Sequence, residues 1–192
     1  MLKLGFCITG SFCSMKDMLE VLDQLIDIYD VEVFLTPHVY SMDTRFFKHE
    51  ELIKAVENKI QKKVHVSIQD AEIYGPFESL DIVLVYPCSA STMAKIDIGI
   101  NDNAVTMLVK SSLRHQIPIV LGVYSNDILS QSGVHLLSLM NKKNFYFVPM
   151  YQDDYIKKPN SVIACHNQVK DTLLCALNHQ QKQPFLLGYK EV

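Results

Sequence analysis

The sequence predicts an α/β protein, a three-layer αβα sandwich built on a doubly wound parallel sheet. Three observations predict it. Short, nearly continuous apolar runs recur along the chain, as strands buried on both faces require. Helical patterns separate those runs, so strands and helices alternate. The junctions are unequal: those after the apolar runs are long and rich in small or polar residues, whereas the return turns at Asp30 and Gln116 are brief. Right-handed crossovers between such strands place helices on both faces of one sheet.

The elements follow in order. Lys3–Ile8 is the first strand, and the amphipathic segment Met15–Tyr29 the first helix. Val31–Leu35 is the second strand, His49–Asn58 the next helix, and Val64–Ser67 a further short strand. The apolar run Asp81–Tyr86 is the third strand. Pro87, which cannot donate to a sheet ladder, is expected to close it. Thr92–Asp97 and Asn103–His115 read as helices, Ile117–Val123 as the fourth strand, Asp127–Asn141 as a helix and Phe145–Val148 as the fifth strand. Val162–Gln180 is the closing helix, with Asn160-Ser161 as its cap. No linker, repeat or low-complexity segment interrupts the pattern, so one domain over residues 1–192 is expected.

Composition narrows the function classes. With 192 residues, 48% hydrophobic and 20% charged, the chain has the balance of a soluble globular protein. A net charge of −3 with no basic stripe argues against a nucleic-acid partner. The longest apolar runs are about half a dozen residues, against the ~20 of a membrane helix, so no membrane association is expected. The N-terminal apolar run reads as a strand and not a signal peptide. Five cysteines form no C-x-x-C pair, which favours free, mostly buried thiols, and the scattered His residues give no reason to expect a metal.

Ligands of such sheets bind beyond the carboxyl ends of the strands. That rule selects five loops: Thr9–Ser14, Thr36–Phe47, Pro87–Thr92, Tyr124–Asp127 and Pro149–Ser161. In the first, Gly10 is expected to permit a tight turn and close approach of backbone to ligand, while Thr9 and Ser11 offer hydroxyls to phosphate oxygens. In the third, Cys88-Ser89-Ala90-Ser91 runs into a helix opening at Thr92, so hydroxyls and unpaired backbone N–H groups converge on one point. The arrangement suits an anion or the polar edge of a cofactor; an ordinary capped β-α turn is the alternative. Neither G-x-G-x-x-G nor a Walker loop is present, which removes support for dinucleotide and triphosphate sites. His38 and His115 read as surface or core histidines, Cys88 as a packing residue, and no residue stands out as a catalytic acid or base.

Thr9-Gly10-Ser11, the Pro87–Thr92 loop with Lys95, and Gly99-x-x-Asp102-Asn103 resemble the Rossmann-like flavoprotein superfamily of flavin prenyltransferases and flavin-dependent cysteine decarboxylases. The resemblance runs from about Leu2 to His179. Thr44-Arg45-Phe46, Ser125-Asn126-Asp127, Gln152-Asp153-Asp154 and Lys157-Lys158-Pro159-Asn160-Ser161 are most similar to the family of dipicolinate synthase B subunits. For the cofactor, the resemblance implies flavin mononucleotide (FMN) held by Thr9, Gly10, Ser11, Thr36, Ser89, Ala90, Ser91, Thr92 and Ser125, with simple capping as the alternative for the hydroxyl residues. Ser91 departs from the P-A-S-A-N-T of the decarboxylases, which have Asn there, and no Gly-rich clamp surrounds Cys165.

For function, the resemblance implies the smaller subunit of a dipicolinate synthase, an oxidoreductase that takes part in nicotinamide-dependent oxidation of dihydrodipicolinate to dipicolinate in the mother-cell cytoplasm during endospore formation. The missing dinucleotide motif then implies NAD(P) on a larger partner, the A subunit of dipicolinate synthase. Arg45, Lys157 and Lys158 are the cations available to a small dicarboxylate substrate, and each is equally readable as a solvated surface charge. The relatives also imply a homo-oligomer. A free-standing FMN-binding enzyme of the prenyltransferase or decarboxylase type, or a flavin-free scaffold subunit, is the competing reading.

Overall fold

The first strand, β1 (Leu2–Ile8), lies inside the sheet and pairs in parallel with β2 (Tyr29–Leu35) on one side and β3 (Ile82–Cys88) on the other. Strand β4 (Ile119–Ser125) pairs with β3, and β5 (Phe145–Phe147) with β4, also in parallel. The parallel strands thus stand in the order 2-1-3-4-5, whose winding direction changes between β1 and β3. This is a computed structural model, and it describes residues 1–75, 77 and 79–189.

The parallel strands are buried on both faces, and successive side chains enter opposite layers of the core. Leu4, Phe6 and Ile8 of β1, with Ile82, Leu84 and Tyr86 of β3, pack under α1 (Met15–Leu25), which contributes Met18, Val21 and Leu22. Cys7, Val83 and Val85 face the opposite layer, where Leu108 of α6 (Ala104–Arg114) and Met93 of α5 (Ala90–Ile98) cover them. Two short helices, α2 (Pro37–Ser41) and α4 (Ile68–Glu72), flank α3 (His49–Ile60) in the chain between β2 and β3. Gly122 of β4 has a packing reason: a Cβ there would stand 2.2 Å from the Tyr86 ring.

The parallel core accords with the predicted αβα fold; several boundaries do not. β3 runs past Pro87 to Cys88, and its register with β4 slips between Val85 and Cys88. The irregularity absorbs the residue that lacks an N–H, and it also changes face parity. Tyr86 faces one layer, and Cys88, two positions on, is buried in the other. The next helix begins at Ala90, with Ser89 and not Thr92 at its start. The first helix stops at Leu25, and Tyr29 already belongs to β2. Val64–Ser67 contributes a single bridge, His65 to Phe34, before Ser67 caps α4.

The largest departure lies at the C-terminal end. In place of a helix from Val162, the β-branched pair Val162-Ile163 enters β7 (Val162–Ala164), antiparallel to the end of β4 and to β6 (Met150–Gln152). Helix α8 begins at Val169 and ends at Leu177, and β8 (Leu186–Tyr189) adds in parallel to β6. The sheet is therefore mixed, and Ser161 is a strand-edge residue, not a helix cap. Asp127 likewise starts no helix: its carboxylate takes the Ser125 and Ser132 hydroxyls and closes a turn, and α7 spans Gly133–Met140.

Candidate functional site

A cleft of about 510 Å3 opens beyond the carboxyl ends of β1, β2 and β3, where the winding changes direction. Gly10 and Phe12 enter it from the first loop, and Thr36, Pro37 and His38 from the second. Ser89, Ser91 and Thr92 bring the first turn of α5, and Lys95, Asp102 and Asn103 close the far side. A smaller hollow of about 280 Å3 adjoins it across the shared Ser89 and Ser91. Its walls include Ser11 and Cys13, then Ser125 at the end of β4 and Asn126 after it, then Lys158 and Ser161 from the β6–β7 loop.

The predicted hydroxyl residues divide into two kinds. Thr9 is fully buried: its Oγ1 donates to the Pro87 carbonyl at 2.7 Å and accepts from the Ser89 N–H at 2.9 Å. That side chain ties the β1 loop to the β3 loop and is consumed by the scaffold. Ser11 Oγ donates to the Tyr124 carbonyl at 3.1 Å, and Ser125 Oγ to the Asp127 carboxylate. Ser89 caps α5, its Oγ accepting from the Thr92 N–H at 3.4 Å and donating to Thr92 Oγ1 at 3.1 Å. Ala90 is the first residue of that helix.

Thr36 differs from all of these. It is only 6% exposed and lines the cleft, yet its hydroxyl is buried without a hydrogen-bond partner among the described residues. An unsatisfied buried hydroxyl carries a desolvation cost of about 1–3 kcal/mol, which a ligand atom in the cleft would relieve. The orphan hydroxyl and the N–H groups of Ala90 and Ser91, the Thr92 N–H being taken by Ser89, offer donors to a phosphate group. Phe12 and Pro37 offer apolar surface to a ring system. The residues fit FMN.

Gly10 makes the expected tight turn: across it the Ser11 N–H donates to the Thr9 carbonyl at 2.8 Å. An added Cβ would meet only the Phe12 ring, at 3.6 Å, and the backbone is not left-handed there. Gly10 presents bare backbone to the cleft that it lines. Asn103 caps α6 with a reciprocal box, its Oδ1 accepting from the Thr106 N–H at 3.1 Å. Sequence reading passed over Phe12 and His38 as cleft residues. Lys95, Asp102 and Asn103 were legible only as parts of a resembling motif, because their meeting depends on how α5 and α6 pack.

The predicted cations are dispersed. Arg45 is exposed outside both hollows, its guanidinium 4.8 Å over the Phe46 ring. Lys157 is exposed and 3.9 Å from Asp154. Lys158 borders the smaller hollow, paired with Asp153 at 3.2 Å. Ser161 Oγ donates to Asp153 at 3.3 Å and to Asn126 Oδ1 at 3.4 Å, joining the two loops beneath Lys158.

Electrostatics keep this end of the sheet in defined protonation states. Burial pushes the Cys88 thiol up to about 12, so it stays neutral at physiological pH. Burial also raises the Tyr86 and Tyr124 phenols, whose oxygens lie 2.6 Å apart beneath the smaller hollow. The Lys95 ammonium beside Asp102 holds that carboxyl below its usual range. The Ser125 and Ser132 hydroxyls do the same for Asp127.

A profile of the Flavoprotein family matches residues 1–175. The B subunit of dipicolinate synthase from Bacillus subtilis (strain 168) is 36% identical over 186 residues, which are 96% of this chain and 93% of that protein. The crystal structure of the corresponding B subunit from Bacillus halodurans superposes with a TM-score of 0.90 at 32% identity, over 98% of this chain and 97% of that one. The FMN-dependent cysteine decarboxylase SpaF shares the fold, with a TM-score of 0.66 at 14% identity over 93% and 98% of the two chains.

Proposed function

This chain belongs to the flavoprotein family, in which it is similar to the B subunit of dipicolinate synthase over nearly its whole length, and from that premise we propose that it is the smaller subunit of a dipicolinate synthase with an FMN-sized ligand in its main cleft. The observation that carries the cofactor reading is the buried, unpartnered Thr36 hydroxyl beside the first turn of α5. Thr36, Ser91 and the N–H groups of that turn hold the phosphate; Phe12 and Pro37 cover the ring system. Thr9, Ser89 and Ala90 act one layer out, fixing the distance between the two loops. Bound flavin supplies a two-electron redox centre.

The oxidation reading rests on the likeness to the two Bacillus B subunits. A chain without a dinucleotide turn leaves the nicotinamide to a partner, the A subunit of dipicolinate synthase. Lys158 faces the smaller hollow and is the cation we assign to one substrate carboxylate, with Ser161 and Asn126 holding its loop in place. Arg45 and Lys157 stand outside the hollows, where a second chain docked over the site would bring them to the other carboxylate. The competing reading, a free-standing flavoenzyme, draws on the shared fold alone.

Two measurements test the proposal. FMN titrated into the purified chain is expected to develop a perturbed visible absorption spectrum, and its absence would remove the cofactor reading. Mixing the chain with the larger A subunit is expected to create dihydrodipicolinate oxidation that neither shows alone. Full activity of the larger chain by itself would end the subunit reading.

A further inference from the structure

Lys95 on α5 and Asp102 in the turn before α6 meet at the cleft, with Nζ 2.5 Å from Oδ2. Among the described residues lining the cleft, Lys95 is the one lysine or arginine and Asp102 the one carboxylate. The two charges cancel. A dianion entering the cleft therefore gains no net charge attraction from these side chains unless it draws Lys95 away. Asp102 is anchored on its other side, where Oδ1 accepts the Asn103 amide at 2.8 Å, and Asn103 in turn caps α6. Both side chains are partly exposed, 38% for Lys95 and 50% for Asp102, but Lys95 sits on a flexible four-carbon stem and Asp102 is held by Asn103, so Lys95 is the partner free to move. Exposed ion pairs are weak, which puts this exchange within reach of ordinary ligand binding. An ionised carboxylate has about four lone-pair sites, and the two bonds above leave room to accept ligand hydroxyls.

We propose that Asp102 is a specificity-determining counter-ion of the cleft. It neutralises Lys95, so that small free anions bind poorly, and it accepts hydroxyl groups, so that the site selects a phosphate monoester carrying a polyhydroxyl chain over inorganic phosphate. The inference rests on the phosphate-binding reading of the same cleft. An open Lys95 beside the Thr36 hydroxyl and a helix N-terminus would otherwise be a general anion trap, occupied by whatever phosphate or sulfate the solution holds.

Calorimetric titration with inorganic phosphate, ribitol 5-phosphate and FMN tests it on the parent chain, on Asp102→Asn and on Lys95→Met. Melting temperatures check that each variant is folded. Asp102→Asn is expected to tighten inorganic phosphate about tenfold and to steepen the salt dependence of its binding. The two polyhydroxyl phosphates should gain less than about threefold, so the preference over inorganic phosphate narrows. Lys95→Met should weaken all three ligands about tenfold. Unchanged or weaker binding of inorganic phosphate to Asp102→Asn overturns the proposal, as does equal tightening of all three ligands. Should FMN bind none of the proteins, the flavin reading falls. The ribitol 5-phosphate and inorganic phosphate titrations then still decide the counter-ion role, because neither carries a ring system.

Discussion

Thr9 and Thr36 are the same residue type at the ends of adjacent parallel strands, yet their hydroxyls are committed in opposite ways. Thr9 spends both its donor and its acceptor on Pro87 and Ser89, whereas Thr36 has no partner among the described residues. Thr36→Val keeps the shape and removes the orphan polar atom. It is expected to raise the stability of the ligand-free chain by roughly 1 kcal/mol while weakening FMN about tenfold. Thermal unfolding and a flavin titration on the same preparation check both signs, and a destabilised Val variant would show the hydroxyl to be satisfied already. Thr9→Val leaves the Ser89 N–H without its acceptor, which should cost about 1–3 kcal/mol in denaturant unfolding. At Gly122, an added methyl would meet the Tyr86 ring at 2.2 Å, so Gly122→Ala is expected to lose roughly 1–3 kcal/mol by overpacking.

Helices α5 and α7 are joined by one carboxylate. Asp97, near the end of α5, accepts from Lys142 at 2.7 Å and from Ser138 at 2.6 Å, and His135 Nδ1 lies 2.8 Å away. Its side chain is only 8% exposed. Burial works to raise its pKa, but these bonds outweigh burial and bring it down to about 2 from an ordinary 3.8. A folded-state value below the unfolded one means that the contribution is fully present above about pH 4. It is lost as pH falls from about 4 towards 2, and amounts to roughly 2 kcal/mol. Asp97→Asn should therefore flatten the acid limb of the stability curve, which urea titrations at pH 2, 4 and 7 would read. A parallel downward shift at all three pH values would mean that packing, not charge, is what the residue supplies.

At the scale of the molecule, the parallel strands 2-1-3-4-5 put the first turn of α5 and the Thr36 hydroxyl at one switch point, while β6, β7 and β8 extend the sheet beyond the end of β4. That extension carries Lys158 and Ser161 to the smaller hollow and leaves apolar side chains such as Leu186 and, on α7, Leu137 exposed. We expect the chain to form a homo-oligomer. Light scattering at micromolar concentration should give a mass that is a multiple of 21.9 kDa. A monomer under those conditions would contradict this. Among the described residues no helix is long and apolar enough to cross a membrane.

The αβα architecture and the loops that form the site are legible in the sequence, because both rest on local pattern. Alternation of apolar runs with helical periodicity sets the layers, and hydroxyl-rich loops after the strands mark one end of the sheet. The C-terminal segment was not legible for the same reason. Val162-Ile163-Ala164 runs on into the periodic segment of the last helix, and its β-branched pair is too short a signal to mark a strand until the end of β4 and β6 pair with it. Which hydroxyls are free and which are consumed was likewise decided by tertiary structure. Thr9 and Pro87 are 78 positions apart, and they meet only through the pairing of β1 with β3 and the slip at Pro87. Lys95 and Asp102, close in the chain, cancel each other only because the turn after Gly99, left-handed at φ 77°, brings Asp102 back over α5. Spacing along the chain records the periodicity of each element, whereas side-chain pairing across loops depends on register and crossover geometry that no local window contains.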